Sequence, residues 1–194
     1  RRLTNWAVQA SIADGQGPPP RREDWNRPGD FADLLPFVER EFDLSRLGLL
    51  DPLELIRASG VFYEYPMCDR DPLPRWSHGR VTLLGDAAHP MYPVGSNGAS
   101  QAVLDARALA RHLAADADVP AALAAYDQER RPATAEIVLT NRRGGPERVI
   151  DVLEERAPAG FDDLDAVASY AEREAIVRGY AAMAGFAATA VRAE

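Results

Sequence analysis

The sequence predicts an α/β chain of α+β character, with extended segments early, helices late, and one strand–turn–loop–helix unit between them. Three observations carry this. Val81-Thr82-Leu83-Leu84 is a short apolar run closed by Gly85 and Asp86, and a Gly/Pro loop leads from it into helix-period apolar residues. Aromatic and β-branched residues gather at 3–12 and 61–67. Beyond Asp118 the periodicity is helical almost throughout.

The elements follow in order. Leu3 to Ile12 alternates as a strand through Trp6, Val8, Ala10 and Ile12, and Ala13 to Asp30 is a Gly/Pro/charge loop. Phe31 to Phe42 reads as a helix with Asp30 as its cap and Pro36 disturbing it. Asp51 to Ser59 is a short helix, with Asp51 capping and Pro52 at its first position. Val61 to Met67 is a second strand whose Phe62, Tyr63 and Tyr65 are expected to pack in a core. Val81 to Leu84 suits a strand buried on both faces. From Asn97 or Gly98 a helix should bury Ala99, Ala102, Val103, Ala106, Leu109, Ala110 and Leu113. Asp118 caps the next helix, which starts near Pro120 and runs toward Arg142, with a kink or break at Pro132. Gly144-Gly145-Pro146 is a break, and Glu147 to Arg156 and Asp162 to Ala184 are helical, separated by Ala157 to Gly160. There is no internal repeat.

Composition sets limits. At 194 residues, 46% hydrophobic and 27% charged, the chain is an ordinary soluble globular one with enough length for one core. A net charge of −8 argues against a nucleic-acid surface. A single cysteine, Cys68, precludes an internal disulfide and is expected to be packed rather than reactive. His78, His89 and His112 show no metal-ligand spacing. The sequence has no stretch suited to span a membrane and no secretory signal, so no membrane partner and a cytoplasmic location are the expectations.

The chemistry concentrates at 85–100. Gly85 permits a sharp turn, which sets Asp86 where open α/β sheets bind ligands. Its carboxylate can accept hydrogen bonds from sugar or ribityl hydroxyls; taken alone, it reads equally as a turn former. Pro90 and Pro93 stiffen the loop. Gly95 and Gly98 lack Cβ, so a flat ligand can lie against the backbone. The first amides of the following helix have no internal acceptor and carry the positive end of the dipole, which favours an anionic group. Asn97 reads either as part of this site or as a helix cap, and His89 as a loop-positioning residue rather than an acid/base.

The run Tyr65-Pro66-Met67-Cys68-Asp69-Arg70-Asp71-Pro72-Leu73-Pro74-Arg75-Trp76, continuing through Gly85-Asp86-Ala87-Ala88-His89-Pro90 to Asp105, resembles the second FAD-binding motif of single-component FAD-dependent aromatic hydroxylases. These share the p-hydroxybenzoate hydroxylase fold, and the run is most similar to their phenazine and salicylate hydroxylase branches. Tyr126-Asp127-Gln128-Glu129-Arg130-Arg131-Pro132 resembles the helix that follows that motif. The resemblance implies an FAD cofactor held by Asp86, Pro93, Gly95, Asn97, Gly98, Ala99 and Ser100. Asp86 would serve the ribityl or pyrophosphate region. Amides near Gly98, Ala99 and Ser100 would face the pyrimidine end of the isoalloxazine. Pro93 would lie beside both the reacting flavin edge and the substrate. It implies no catalytic side chain, because the flavin carries the chemistry: NAD(P)H and O2 are consumed and one oxygen atom enters an aromatic ring. Under this resemblance, Phe62, Tyr63 and Tyr65 acquire a second reading, as residues facing an aromatic substrate.

Family members open with a strand, a G-x-G-x-x-G turn and a helix that grip the FAD diphosphate. Here Gly15-Gln16-Gly17 runs into Pro18-Pro19-Pro20, which cannot open such a helix, and the chain starts with Arg1-Arg2. The expectation is therefore an incomplete FAD-binding domain from the C-terminal part of a longer protein, inactive alone and partnered by the N-terminal FAD-binding portion. Its organisation would be 1–75 as the end of the substrate-binding sheet domain, 76–142 as the second FAD-binding motif with its helices, and 143–194 as a C-terminal helical tail open to homodimer pairing. The rival readings are another flavoenzyme of the same scaffold, a reductase or halogenase, and a cofactor-free remnant acting as an interaction module.

Overall fold

The computed structural model describes residues 4–9, 22, 24–44, 48 and 50–186. The run Gly15 to Pro20 lies outside them, as do both ends of the strand expected over Leu3 to Ile12 and much of the loop expected before Asp30. The chain divides into two compact units, 1–66 and 67–194.

The first unit is built on two capped helices. Helix α1 (Phe31–Glu41) starts where the Asp30 carboxylate accepts the Ala32 amide, and α2 (Pro52–Arg57) where Asp51 accepts those of Leu53 and Glu54. Pro36 does not break α1, which runs unbroken to Glu41. Val38 and Ile56 are buried, and Phe62 packs on Phe31 and Trp6 at centroid separations of 4.9 and 5.6 Å.

The expected strand over Val61 to Met67 reduces to one antiparallel bridge, between Pro28 and Tyr63. The Gly29 amide donates to the Phe62 carbonyl at 2.9 Å and the Glu64 amide to that of Arg27 at 3.0 Å, and the pairing goes no further among the described residues. The described part of the first expected strand, 4–9, likewise carries no ladder. Backbone alternation survives in side-chain exposure: Phe62 turns inward, whereas Tyr63 and Tyr65 are exposed and stacked on each other. The expectation that all three aromatics pack in a core is thus corrected for the two tyrosines.

The second unit is helical. It holds α3 (Gly98–Ala115), α4 (Val119–Asn141), α5 (Arg148–Arg156), α6 (Leu164–Val167) and α7 (Tyr170–Met183), with single 3₁₀ turns at Gly85–Ala87, Val94–Ser96 and Gly145–Glu147. The expected buried strand Val81 to Leu84 is not formed. His78 and Val81 make one bridge around a tight turn, and Val81 is 68% exposed. A strand needs a neighbour along its edge, and among the described residues only 76–78 lies beside it. Among the described residues the architecture is therefore mostly helical, without the sheet the sequence predicts.

Pro132 does not interrupt α4, which continues to Asn141. Tyr126 on one side of the proline and Ile137 and Val138 on the other are almost wholly buried, so packing holds the helix across the missing hydrogen bond. The single helix expected over Asp162 to Ala184 is two. Asp163 caps α6, and Ser169 caps α7 by accepting the Glu172 amide at 3.3 Å. Two cores form. Trp76, Ala88, Ala108 and Tyr126 make one; Ile137, Tyr180 and Ala184 make the other. No helix among the described residues is long and apolar enough to cross a membrane.

Candidate cofactor site

Gly85 turns the chain with φ +58°, and a Cβ there would stand 3.1 Å from that of Ala102 on α3. The turn therefore requires glycine on both conformational and packing grounds. Asp86 is exposed at its tip, and its Oδ1 lies 3.9 Å from where a Cβ on Gly98 would stand. The acid thus sits beside the first residue of α3.

Beneath the turn lies a buried polar network. Asp105, on α3, is 0% exposed. Its Oδ2 accepts the Gly85 amide at 3.1 Å and meets His89 Nε2 at 2.5 Å. Its Oδ1 accepts Arg130 Nε at 2.7 Å from α4. Burial by itself would raise the Asp105 carboxyl, but the His89 and Arg130 hydrogen bonds outweigh it and hold the group below the usual carboxylate range. Arg130 also donates to Gln101 Oε1 at 2.7 Å, and Gln101 Nε2 donates to Asn97 Oδ1 at 3.3 Å and to the Ala184 carbonyl at 2.9 Å. The network links the Asp86 turn to the start of α3. A parallel clamp holds the preceding segment: Asp127 accepts the Trp76 and Ser77 amides at 2.8 and 3.0 Å.

His89, bonded to Asp105, ties the loop to α3. Its Nδ1 is buried without a hydrogen-bond partner, as is Asn97 Nδ2. Asn97 occupies the cap position of α3, but its side chain makes no capping bond, which corrects the expectation that it caps the helix. Gly98 sits at the helix start with ordinary φ, and a Cβ there would meet only Asp86 Oδ1 and Met91 Cγ, both at 3.9 Å. Ala99 is exposed and Ser100 half-buried. Helix α3 thus begins uncapped by any side chain, beside an exposed acid.

The other side of the loop is closed. Pro93 is exposed and leads into Gly95 and Ser96, both left-handed with φ +70° and +49°. A Cβ on Gly95 would stand 2.6 Å from the Tyr180 hydroxyl, so this glycine answers to α7 packing. Its amide donates to both Glu147 carboxylate oxygens, at 2.9 and 3.0 Å.

The sequence singled out Asp86, Pro93, Gly95, Asn97, Gly98, Ala99 and Ser100, which form one contiguous loop and helix start. It missed Gln101, Arg130, Asn141, Glu147 and Tyr180, and it gave Asp105 no role. Gln101, Asp105 and Ala108 form the buried face of α3, whereas Val103 is 69% exposed and Ala99, Ala106, Ala110 and Leu113 are exposed with it. The apolar stripe chosen from periodicity is largely the outward face. A buried face made of polar residues inverts the hydrophobic pattern; the available signal was the i, i+4 pair Gln101–Asp105 facing Arg130.

Residues 69–141 match the family model described as FAD binding domain. Over 151 residues, 77% of this chain and 36% of the relative, the chain is 48% identical to a phenazine 1,6-dicarboxylic acid hydroxylase from Lysobacter antibioticus. It is 45% identical over 91 residues to 3-hydroxybenzoate 6-hydroxylase 1 from Aquipseudomonas alcaligenes, covering 47% of this chain and 23% of the relative. It is 46% identical over 98 residues to a 3-amino-4-hydroxybenzoate 2-monooxygenase from Streptomyces platensis, covering 50% of this chain and 25% of the relative. The chain thus spans about a third of the first relative's length and about a quarter of the other two.

Proposed function

We propose that this chain, whose residues 69–141 belong to the FAD-binding domain family, supplies the ring-facing part of the flavin site in an FAD-dependent aromatic monooxygenase. The observation that supports it most is the start of α3: no side chain caps it, and the space over Gly98 is bounded only by the Asp86 carboxylate and Met91. The residues fit the group. Amides of Gly98, Ala99 and Ser100 have no acceptor within the helix and suit the electron-rich pyrimidine end of the ring. Asp86 is placed to accept hydroxyl hydrogen bonds, and exposed Pro93 borders the reacting edge and the substrate. Gly95 and Asn97 serve from behind by shaping the loop.

When bound, FAD supplies the oxygen chemistry, with NAD(P)H as reductant and O2 as oxidant. The chain's own residues bind and orient it, and the dipole of α3 stabilises negative charge at the ring. The substrate class is a small planar aromatic ring like those named for the relatives. The exposed stripe Ala99, Val103, Ala106, Ala110 and Leu113 is the face to be covered by the FAD-binding polypeptide that accompanies this segment in proteins like its relatives. With that polypeptide beside it, Val81 to Leu84 gains the strand neighbour it lacks here, which restores the α/β character the sequence predicts.

The test uses this chain together with the accompanying FAD-binding polypeptide, loaded with flavin, and NAD(P)H, ¹⁸O-labelled O2 and a panel of aromatic acids and phenazines. One labelled atom in a hydroxylated product is the expected result. Flavin reduction with no labelled product on any substrate would point to a reductase instead.

A further inference from the structure

We infer that the segment from Asn141 to Ala184 is a brace that sets the shape of the cofactor loop, with Tyr180 as its positioning residue. Apart from Asn141, this segment lies beyond the family match, which ends at residue 141, and it reads as a generic helical tail in sequence. In space it converges on the loop from four directions. The Tyr180 hydroxyl donates to Asn141 Oδ1 at 2.9 Å, and Asn141 Nδ2 donates to the Tyr92 carbonyl at 3.2 Å. The Tyr180 ring occupies the space a Gly95 Cβ would need. Glu147 takes the Gly95 amide through both carboxylate oxygens. The Ala184 carbonyl receives Gln101 Nε2 at the first turn of α3.

The consequence is directional. The loop carries two consecutive left-handed residues, Gly95 and Ser96, a conformation that persists only when its surroundings over-determine it. Beyond the local bond from the Ser96 amide to the Pro93 carbonyl at 2.9 Å, the contacts on Gly95 among the described residues come from the C-terminal side, from Glu147 and Tyr180. Asp86 is exposed on the turn before the loop. The brace therefore pre-organises the loop, and the cofactor's binding free energy is not consumed in ordering it.

This rests on the flavin reading, and the experiment separates the two. On the chain itself, amide hydrogen exchange over 92–98 should accelerate about tenfold or more in Tyr180→Ala, a change equivalent to losing one modest interaction, while buried amides of α4 near Tyr126 keep their rates. Tyr180→Phe, which keeps the ring against Gly95, should recover most of the protection. In the flavin-loaded protein, FAD Kd should rise in the same order, Ala above Phe above wild type. Unchanged loop exchange in Tyr180→Ala overturns the brace; if that variant does not fold, unchanged loop exchange in Glu147→Ala, which removes both bonds to the Gly95 amide from an exposed position, does so. Faster exchange with unaltered FAD Kd overturns the positioning role. A wild-type protein that takes up no FAD with the accompanying FAD-binding polypeptide present overturns the functional reading, and the exchange measurement still decides the brace.

Discussion

Asp105 Oδ2 lies 2.5 Å from His89 Nε2 and also accepts the Gly85 amide, so one carboxylate oxygen ties together both ends of the turn that presents Asp86. Its second oxygen neutralises Arg130. The exposed acid at the site is thus aimed by a buried acid nineteen positions further along the chain.

Asp105→Asn should destabilise the second unit by about 3–5 kcal/mol, because it leaves the Arg130 charge buried without its counter-ion. The double variant Asp105→Asn/Arg130→Gln should recover part of that loss by removing the stranded charge. Urea unfolding of both variants checks the prediction, and a double variant as weak as the single would contradict it.

Stability should fall in acid. Burial opposes ionisation of Asp105 and Asp127, but their hydrogen bonds prevail and hold both carboxyls below the ordinary value of about 3.9. Groups with depressed folded-state pKa values bind protons more readily when unfolded. Their contribution is full above the unfolded value and is lost as pH drops through the folded ones. The urea midpoint should hold from pH 7 to about 5 and decline between about pH 4 and 2, with a shallower decline in Asp105→Asn/Arg130→Gln.

Asp86→Ala should leave folding within about 0.5 kcal/mol of wild type, because the side chain is exposed. In the flavin-loaded protein the same change should cost FAD about tenfold or more in affinity, the loss of one charge-assisted hydrogen bond. Flavin titration and thermal melting on the same preparations measure both. Unchanged affinity would remove Asp86 from the site.

Gly95 and Gly98 should separate folding from ligand fit. Gly95→Ala forces a side chain into left-handed backbone and against Tyr180, so a loss of about 2 kcal/mol or more is expected. Gly98→Val meets only ordinary van der Waals neighbours and should fold, yet it fills the ground offered to the ring and should weaken FAD binding. A Gly98→Val protein with wild-type FAD affinity would show that the ring does not lie there.

Val103→Asp should not change the melting temperature of this chain, since the side chain faces solvent. It should reduce flavin incorporation when the accompanying FAD-binding polypeptide is present, if that polypeptide covers the α3 stripe. Equal flavin content in the two proteins would reject that cover.

Local chemistry was legible in the sequence wherever neighbours along the chain decide the outcome. Asp30 and Asp51 cap the helices they were expected to cap, whereas α4 begins after Asp118 without the capping bond expected of its side chain, and the candidate loop from Asp86 to Ser100 is contiguous, so its Gly/Pro run marks it in sequence. Ser169 and Glu172 form a start signal of the same local kind, inside what reads as one continuous helix.

Tertiary structure decided the rest, because those outcomes depend on groups far apart in sequence. The expected strands at Val61 and Val81 reduce to single bridges, since a strand exists only with a partner along its edge. The inward face of α3 is set by Arg130 and Gln101 rather than by apolar periodicity, because hydrogen bonds satisfied in the interior make polar burial favourable. Gly95 looks like room for a ligand in sequence and is room for Tyr180 in space, eighty-five positions away. The sequence by itself determined which residues make the loop; the packing of α7, Asn141 and Glu147 behind it decided which side of the loop is open.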